Sequence, residues 1–289
     1  MKISVSSYSF SQYINAGKMT QFDCVAKAKE MGFDAIEFIN IVGETLEEQK
    51  ENAAKIKAEA ERVGIEINAY TIGANLYHET QEESDKEINR LKEQLDVANV
   101  LGVKVMRHDV CWSLGKTGNA RSFDLMLPTI AENARKVTEY AATLGIKTCS
   151  ENHGFIAQDS DRVERLFNAV NHDNYGLLVD MGNFLCADEN PAIAVSRVAP
   201  YAIHAHAKDM LVKNKPFDTN CLITRGGNYL KCVAVGQGDV PVEQCIRILK
   251  NAGYDGFLSI EYEGSDDCIE GIALGLKNLK KYIANVEEA

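Results

Sequence analysis

Four residues in the second half of the chain carry side chains that divalent metal ions accept as ligands, and each ends a short apolar, β-rich run. They are Glu151 in TCSENHG, Asp180 in LLVDMGN, His206 in IHAHAKD and Glu261 in LSIEYEG. If these runs are neighbouring parallel strands of a barrel, their carboxyl ends meet at one face and the four side chains converge. Any one of them alone is more often an ion-pair or hydrogen-bond partner, but four in phase predict a metal site.

The ligand types indicate which ions such a site would accept. Three carboxylates and one imidazole suit Mn²⁺, Mg²⁺ or Co²⁺, and Zn²⁺ is a further option. Structural zinc sites prefer clusters of Cys and His, so that kind of site is a poor match. The set therefore indicates a metal that takes part in chemistry.

A repeated pattern indicates how those four residues are positioned. A helical segment is followed by a glycine and then by an apolar residue that opens a strand. Glycine at such a place is typical of the left-handed turn that ends a helix. Strands that alternate with helices predict βαβ units and a parallel sheet. The glycines concerned are Gly32, Gly64, Gly102, Gly145 and Gly253.

The whole chain divides into eight candidate strands with helical periodicity between most of them. Eight such units predict an α/β fold, a single (β/α)8 TIM-barrel domain over residues 1–289. An open doubly wound sheet is the alternative, but no Gly-rich phosphate motif follows the first strand. The longest connection, at about 210–238, is expected to be a loop that covers the mouth, or else a simple insertion. The candidate strands lie near 2–9, 33–39, 65–72, 103–109, 146–151, 175–180, 201–207 and 257–262.

Composition narrows the partners and the compartment. The formal net charge is −11, from 31 Lys and Arg against 42 Asp and Glu, which repels polyanions and disfavours nucleic acid. None of the eight cysteines forms a C-x-x-C pair, so reduced thiols of a cytoplasmic protein are expected. The first residues, MKISVSSYSF, do not resemble a signal peptide, and no apolar stretch of about 18 residues predicts a membrane span.

Longer motifs resemble a known family. HAHAKD, followed by VAVGQGDVPVEQCIRILKNAGYDGFLSIEYEG, is similar to the xylose-isomerase-like TIM-barrel superfamily, and its sugar phosphate isomerase/epimerase branch is the best match. SENHG and VDMGNF fit that branch's two earlier metal-bearing strand ends. The resemblance implies that Glu151, Asp180, His206 and Glu261 hold one divalent ion, with Mn²⁺ expected. It also implies that Glu151 and Glu261 carry protons to and from the substrate.

Two positions depart from the family pattern. Asn183 stands where a D-x-x-H arrangement is frequent, which removes an imidazole that could relay protons. Gln237 stands in the G-x-G-D phrase where an acid is frequent, which removes a charge near the site. Both departures leave the four metal ligands intact and leave the substrate undetermined.

The expected reaction is proton transfer beside a carbonyl held by the metal ion. Such an ion acidifies the neighbouring C–H, and two carboxylates that flank the carbon can then isomerise or epimerise a sugar through an enediolate. The alternative is a dehydratase or lyase of the same superfamily that acts on a keto-sugar or keto-inositol. A repair endonuclease of the related barrel family lacks several ligands here, and a non-catalytic barrel would not retain the full set.

The expected partner is a small sugar or keto-sugar. An unphosphorylated one is favoured, because few cations lie near the mouth. The candidates are Lys208, Lys213, Lys215 and Arg225. Oligomerisation is common among such barrels, and the sequence does not decide it.

Six further residues near the predicted mouth are candidates for contact with the substrate. The alternatives are an ion pair for Lys208, a structural network for Glu37, and ordinary loop or core positions for the others. Arg107 is expected to alternate away from the mouth and to pair with a helix. His204 is expected either to support His206 or to pack in the core. The six candidates are Glu37, His108, Trp112, His153, Asn183 and Lys208.

Overall fold

Eight parallel strands close into a barrel in the computed structural model, which describes residues 1–288. Each strand is hydrogen bonded to the next one along the chain, and the last closes onto the first. The predicted (β/α)8 barrel is therefore confirmed. The barrel strands are β1 (Lys2–Ser6), β2 (Ala35–Ile39), β3 (Glu66–Ile72), β4 (Val105–His108), β5 (Lys147–Glu151), β6 (Tyr175–Asp180), β7 (Ala202–Ala207) and β11 (Phe257–Ile260).

Helices connect these strands, and their apolar faces pack against the barrel. Leu91 and Leu95, for example, share one buried core with Met106 of β4. Among the described residues, no helix is long and apolar enough to span a membrane. The helices are α1 (Ser11–Asn15), α2 (Asp23–Met31), α3 (Leu46–Val63), α4 (Gln81–Leu101), α5 (Phe123–Thr143), α6 (Ser160–Val170), α7 (Pro191–Val198), α8 (Val242–Asn251) and α9 (Cys268–Glu288), with short 3-10 turns at Ser7–Phe10, Gly118–Arg121, Asn183–Ala187 and Ala199–Tyr201.

Local sequence signals fix where the helices begin and end. Helix α3 begins with a capping box, in which the Thr45 side chain and the Glu48 side chain each accept a hydrogen bond from the other's backbone. It ends at Gly64, whose φ of 71° lies in the left-handed region, and Gly102 ends α4 in the same way with φ 88°. These turns return the chain to the next strand, as the repeated glycine pattern predicts.

The long connection after β7 is more ordered than the expected mouth loop. It contains β8 (Asp209–Lys213), β9 (Leu222–Ile223) and β10 (Tyr229–Val233), which form an antiparallel sheet in the order β8-β10-β9. Alternate residues of β8 and β10, Met210 and Leu230, pack with Cys186 in a small separate core. Polar turn segments between these short strands hide that alternation in the sequence.

Asp209 ties this accessory sheet to the barrel. Its carboxylate accepts hydrogen bonds from the backbone N–H groups of Gly236, Gly238 and Val240 at 2.8–3.1 Å. A Cβ at Gly238 would lie 2.1 Å from the Asp209 carboxylate oxygen, so only glycine fits there. The GQGD phrase is therefore explained by a close backbone approach to Asp209.

Candidate metal centre and active-site mouth

The four predicted ligands meet at the carboxyl end of the barrel. Glu151 and Asp180 are the last residues of β5 and β6, His206 is near the end of β7, and Glu261 directly follows β11. One ligand atom from each lies within 4.8 Å of those from the others. His206 Nδ1 is 3.8 Å from Glu151 Oε1, 3.7 Å from Asp180 Oδ2 and 3.8 Å from Glu261 Oε2. The strand ends thus bring the four side chains to one point.

Two atoms at that point indicate that the donor set fits a cation. His206 Nδ1 and Asp180 Oδ2 are buried, and neither has a hydrogen-bond partner within residues 1–288. Buried polar atoms almost always have a partner, because an unpaired one loses its hydration without compensation. A divalent cation accepts both of these atoms as ligands and also offsets the repulsion among the three carboxylates.

Glu37 contacts the His206 ring at Nε2, the nitrogen that does not face the ligand cluster. Its Oε1 lies 2.9 Å from His206 Nε2, and its Oε2 lies 2.6 Å from His204 Nε2. With Nε2 as the donor to Glu37, His206 presents Nδ1 to the ligand cluster. Burial opposes ionisation of Glu37, but the two imidazoles outweigh it and hold the pKa of the carboxyl well below its usual range. Glu37 is fully buried and outside the cavity lining, so its position beside the two imidazoles agrees with the alternative of a structural network.

The two glutamates of the cluster sit in different electrostatic surroundings. Glu151 Oε2 lies 2.6 Å from Arg107, and its Oε1 accepts a hydrogen bond of 2.8 Å from Asn183. Burial nonetheless raises the pKa of Glu151 above its usual value. For Glu261 burial acts in the same direction, but Lys208 at 2.8 Å outweighs it and lowers the pKa to about 2. Two carboxyls whose pKa values are pushed apart are suited to act as an acid and a base.

The β4 strand presents the opposite face from the one expected. Arg107 lies in the mouth, with its guanidinium 2.6 Å from both Asp109 and Glu151. His108 is instead fully buried, and its Nδ1 lies 2.9 Å from the backbone oxygen of Asp109. The expectation that Arg107 alternates away from the mouth is therefore wrong, and His108 lies outside the cavity lining. Alternation along a strand allows two phases, and the carboxylates that compensate the buried arginine cannot be recognised from β4 alone.

A cavity of about 310 Å³ opens next to the ligand cluster. His153 lines it, with Nδ1 2.8 Å from Asp109 Oδ1, and Trp112 packs edge-on against His153 with ring centres 5.0 Å apart. Both residues thus lie at the cavity, and their contact with a substrate stays a prediction. The lining residues are Tyr8, Ile39, Asn40, Thr71, Ile72, Gly73, Arg107, Asp109, Trp112, Glu151, His153, His206, Glu261 and Glu263.

Two other candidates lie behind the metal ligands and outside that lining. Asn183 is buried, and its side-chain amide donates a hydrogen bond to Glu151. Lys208 is buried and donates to Glu261 at 2.8 Å and to Glu263 at 2.7 Å. The structure therefore assigns them positions beside the ligands and not in the cavity wall.

Asp109 and Glu263 line the cavity but were not predicted from the sequence. Each stands two residues from another site residue, Arg107 and Glu261 respectively, and a spacing of two returns a side chain to the same side of an extended segment. That signal was present in RHD and in EYE. Tyr8, which also lines the cavity, follows β1 and has no comparable signal.

The family model described as Xylose isomerase-like TIM barrel matches residues 25–282. The chain therefore belongs to this family, as its motifs predicted. Inosose dehydratase from Clostridium perfringens (strain 13 / Type A) is 22% identical over 285 residues, which cover 92% of this chain and 90% of that protein. Inosose dehydratase from Clostridium botulinum (strain Alaska E43 / Type E3) is 24% identical over 157 residues, and the match spans 52% of its length.

Solved structures share the fold over nearly the whole chain. The IOLI protein, crystallised with a zinc atom, has a TM-score of 0.77 at 17% identity and covers 99% of both chains. L-ribulose 3-epimerase has a TM-score of 0.76 at 13% identity, covering 99% of this chain and 96% of its own. The probable 3-DHS dehydratase AsbF from Bacillus anthracis has a TM-score of 0.74 at 20% identity, covering 97% and 99%.

Proposed function

We propose that the protein is a divalent-metal-dependent sugar isomerase or ketose 3-epimerase that moves a proton on the carbon beside a substrate carbonyl. The observation that supports this proposal is that Glu151 and Glu261 both belong to the ligand cluster and both line the cavity, while their pKa values are shifted in opposite directions. A substrate carbon in this cavity therefore has a carboxyl group from each of two strands beside it. Proton removal by one and return by the other gives epimerisation, and a single shuttling carboxylate gives isomerisation.

Glu151, Asp180, His206 and Glu261 would hold the ion, for which we propose Mn²⁺. When bound, it supplies a Lewis acid that polarises the carbonyl and makes the neighbouring C–H more acidic. Glu261, kept ionised by Lys208, is suited to take the proton. Glu151, whose pKa burial raises, is suited to return one.

The remaining cavity residues orient the sugar. His153 and Asp109 present polar atoms for hydroxyl groups, and Trp112 offers an aromatic surface to an apolar sugar face. Arg107 is neutralised by Asp109 and Glu151, so it does not supply a free charge for a phosphate group. These features favour an unphosphorylated sugar.

Dehydration is the second candidate. It is favoured by the inosose dehydratases that match most of the chain and by Glu263, a third carboxylate that lines the cavity and shares Lys208 with Glu261. Dehydration needs a second acid–base group near the leaving hydroxyl, and Glu263 lines the same cavity as Glu261. Both candidates begin with the same proton removal.

Solvent exchange distinguishes them. The purified protein with Mn²⁺ is incubated in D₂O with ketoses and with keto-inositols, and the products are followed by NMR. The proposal predicts deuterium at the carbon beside the carbonyl and a product that retains every oxygen. Loss of water would favour dehydration, and a lack of both exchange and product with every substrate in the fully metal-loaded protein would contradict both.

A further inference from the structure

A second cavity, of about 380 Å³, lies on the other side of Trp112. From it we infer that the substrate extends past Trp112 and carries a second neutral ring bearing hydroxyl groups, as in a disaccharide or glycoside. This rests on the sugar chemistry proposed for the first cavity. Each cavity falls in the size range of small-ligand sites, and Trp112 is a wall of both.

Trp112 is held as a fixed platform between the cavities. The segments that follow β3 and β4 are joined by a hydrogen bond of 2.7 Å from the backbone N–H of Leu76 to the backbone oxygen of Val110. The edge of Trp112 contacts His153, and a Cβ at Gly154 would approach the indole to 3.4 Å. The indole is nevertheless 51% exposed. A half-exposed aromatic side chain in a fixed position is suited to pack against a sugar ring on either side.

His78 supplies a polar group that needs a partner. His78 is one of the residues that line the second cavity, and its Nε2 is buried without a hydrogen-bond partner among the described residues. Such an atom loses free energy unless a ligand or water satisfies it. A sugar hydroxyl can donate or accept a hydrogen bond, so it suits either tautomer of the imidazole.

The charged residues of the second cavity indicate whether the part of the substrate that enters it is neutral or anionic. Glu79 and Glu83 line it, and no Lys or Arg of residues 1–288 does. A phosphate or carboxylate would be repelled by these two side chains and would lack a cationic partner. A neutral, hydroxyl-bearing ring meets no such penalty.

The test compares ketoses with and without a second ring in the Mn²⁺-loaded protein. The probes are D-fructose, its 6-phosphate, and the disaccharides lactulose and isomaltulose, both of which contain fructose. We expect at least one disaccharide to have a kcat/KM about tenfold above that of fructose, as one added buried hydrogen bond allows, and the phosphate to fall below fructose. A ratio of disaccharide to fructose at or below one for both disaccharides would overturn the inference.

A variant of His78 tests whether the second cavity causes the preference for the disaccharide. His78→Ala should lower the disaccharide-to-fructose ratio about tenfold, whereas Glu82→Gln, on the same side of the chain but outside both cavities, should leave it unchanged. An unchanged ratio in His78→Ala would contradict the assignment.

If no sugar turns over, the proposed reaction fails, but saturation-transfer NMR still tests the second cavity. Signals from the second ring that His78→Ala removes would support it, and their absence in the parent protein would overturn it.

Discussion

The two halves of the barrel mouth differ in how their side chains are used. On the side of β5, β6, β7 and β11, every metal ligand ends a strand and most have a partner that fixes them. On the side of β2, β3 and β4, the cavity wall combines strand residues such as Thr71 and Ile72 with loop residues such as Gly73 and Trp112. Strands hold positions more rigidly than loops, so one half can fix an ion while the other half shapes the substrate space.

The charged residues of β2 and β4 sharpen this difference. Glu37 and Arg107 both point across the barrel and contact ligands of the other half, His206 and Glu151. The charges of Glu37 and Arg107 therefore support the metal ligands. Changes on the two sides should accordingly separate into effects on metal binding and effects on substrate binding.

The largest effect is expected from removal of a ligand. Asp180→Ala should weaken Mn²⁺ binding by more than about 100-fold, the upper end of what loss of an outer partner costs, and should abolish turnover. Isothermal titration with Mn²⁺ measures this. Asp173→Ala, an exposed carboxylate outside the mouth, is the control and should bind as the parent does. Equal affinity in the two variants would place the ion elsewhere.

A smaller effect is expected from the residue behind His206. Glu37→Gln should weaken Mn²⁺ binding about 10- to 100-fold, because Oε2 of the carboxylate lies 2.6 Å and 3.1 Å from Nε2 of His204 and His206, and a neutral amide is a weaker acceptor for both. The same titration measures it, with circular dichroism to show that the barrel remains folded. Glu66→Gln, an exposed glutamate at the start of β3, is the matched control. Parent-like affinity in Glu37→Gln would show that Glu37 does not orient His206.

Replacement of Arg107 is expected to change the stability of the protein more than its metal binding. Arg107→Met should lower the free energy of unfolding by about 3–5 kcal/mol, because Asp109 and Glu151 keep buried charges without their partner. Urea denaturation of the metal-free protein measures the change. Arg107→Lys keeps the charge and should recover part of the loss. A Met variant as stable as the parent would contradict the ion-pair network.

The smallest effect on metal binding is expected from the loop side. Trp112→Ala should leave the Mn²⁺ affinity unchanged and raise KM about tenfold, since the indole faces the cavities and contacts no metal ligand through a hydrogen bond. Titration and steady-state kinetics separate the two quantities. A lowered metal affinity together with an unchanged KM would remove the distinction between the two halves.

The metal ligands could be predicted because the sequence pattern that identifies each of them lies in the residues directly around it. Glu151 and Asp180 end β-rich apolar runs, and the glycine pattern counts the strands, so the sequence places them on one face. Helix ends such as Gly64 are predictable for the same reason.

The supporting contacts could not be predicted because they join residues distant in sequence. Glu37 meets His206 only after the barrel has closed, and Arg107 meets Glu151 of β5 only when β4 and β5 pair. The accessory sheet of β8, β9 and β10 was missed because its strands are short and separated by polar turns.

The most direct test of the metal centre is anomalous X-ray scattering at the manganese edge from crystals of the Mn²⁺-loaded protein. We predict one strong peak about 2.0–2.2 Å from atoms of Glu151, Asp180, His206 and Glu261, the usual range for oxygen and nitrogen ligands of such ions. A peak between Glu37 and His204, or no peak at the strand ends, would contradict the account.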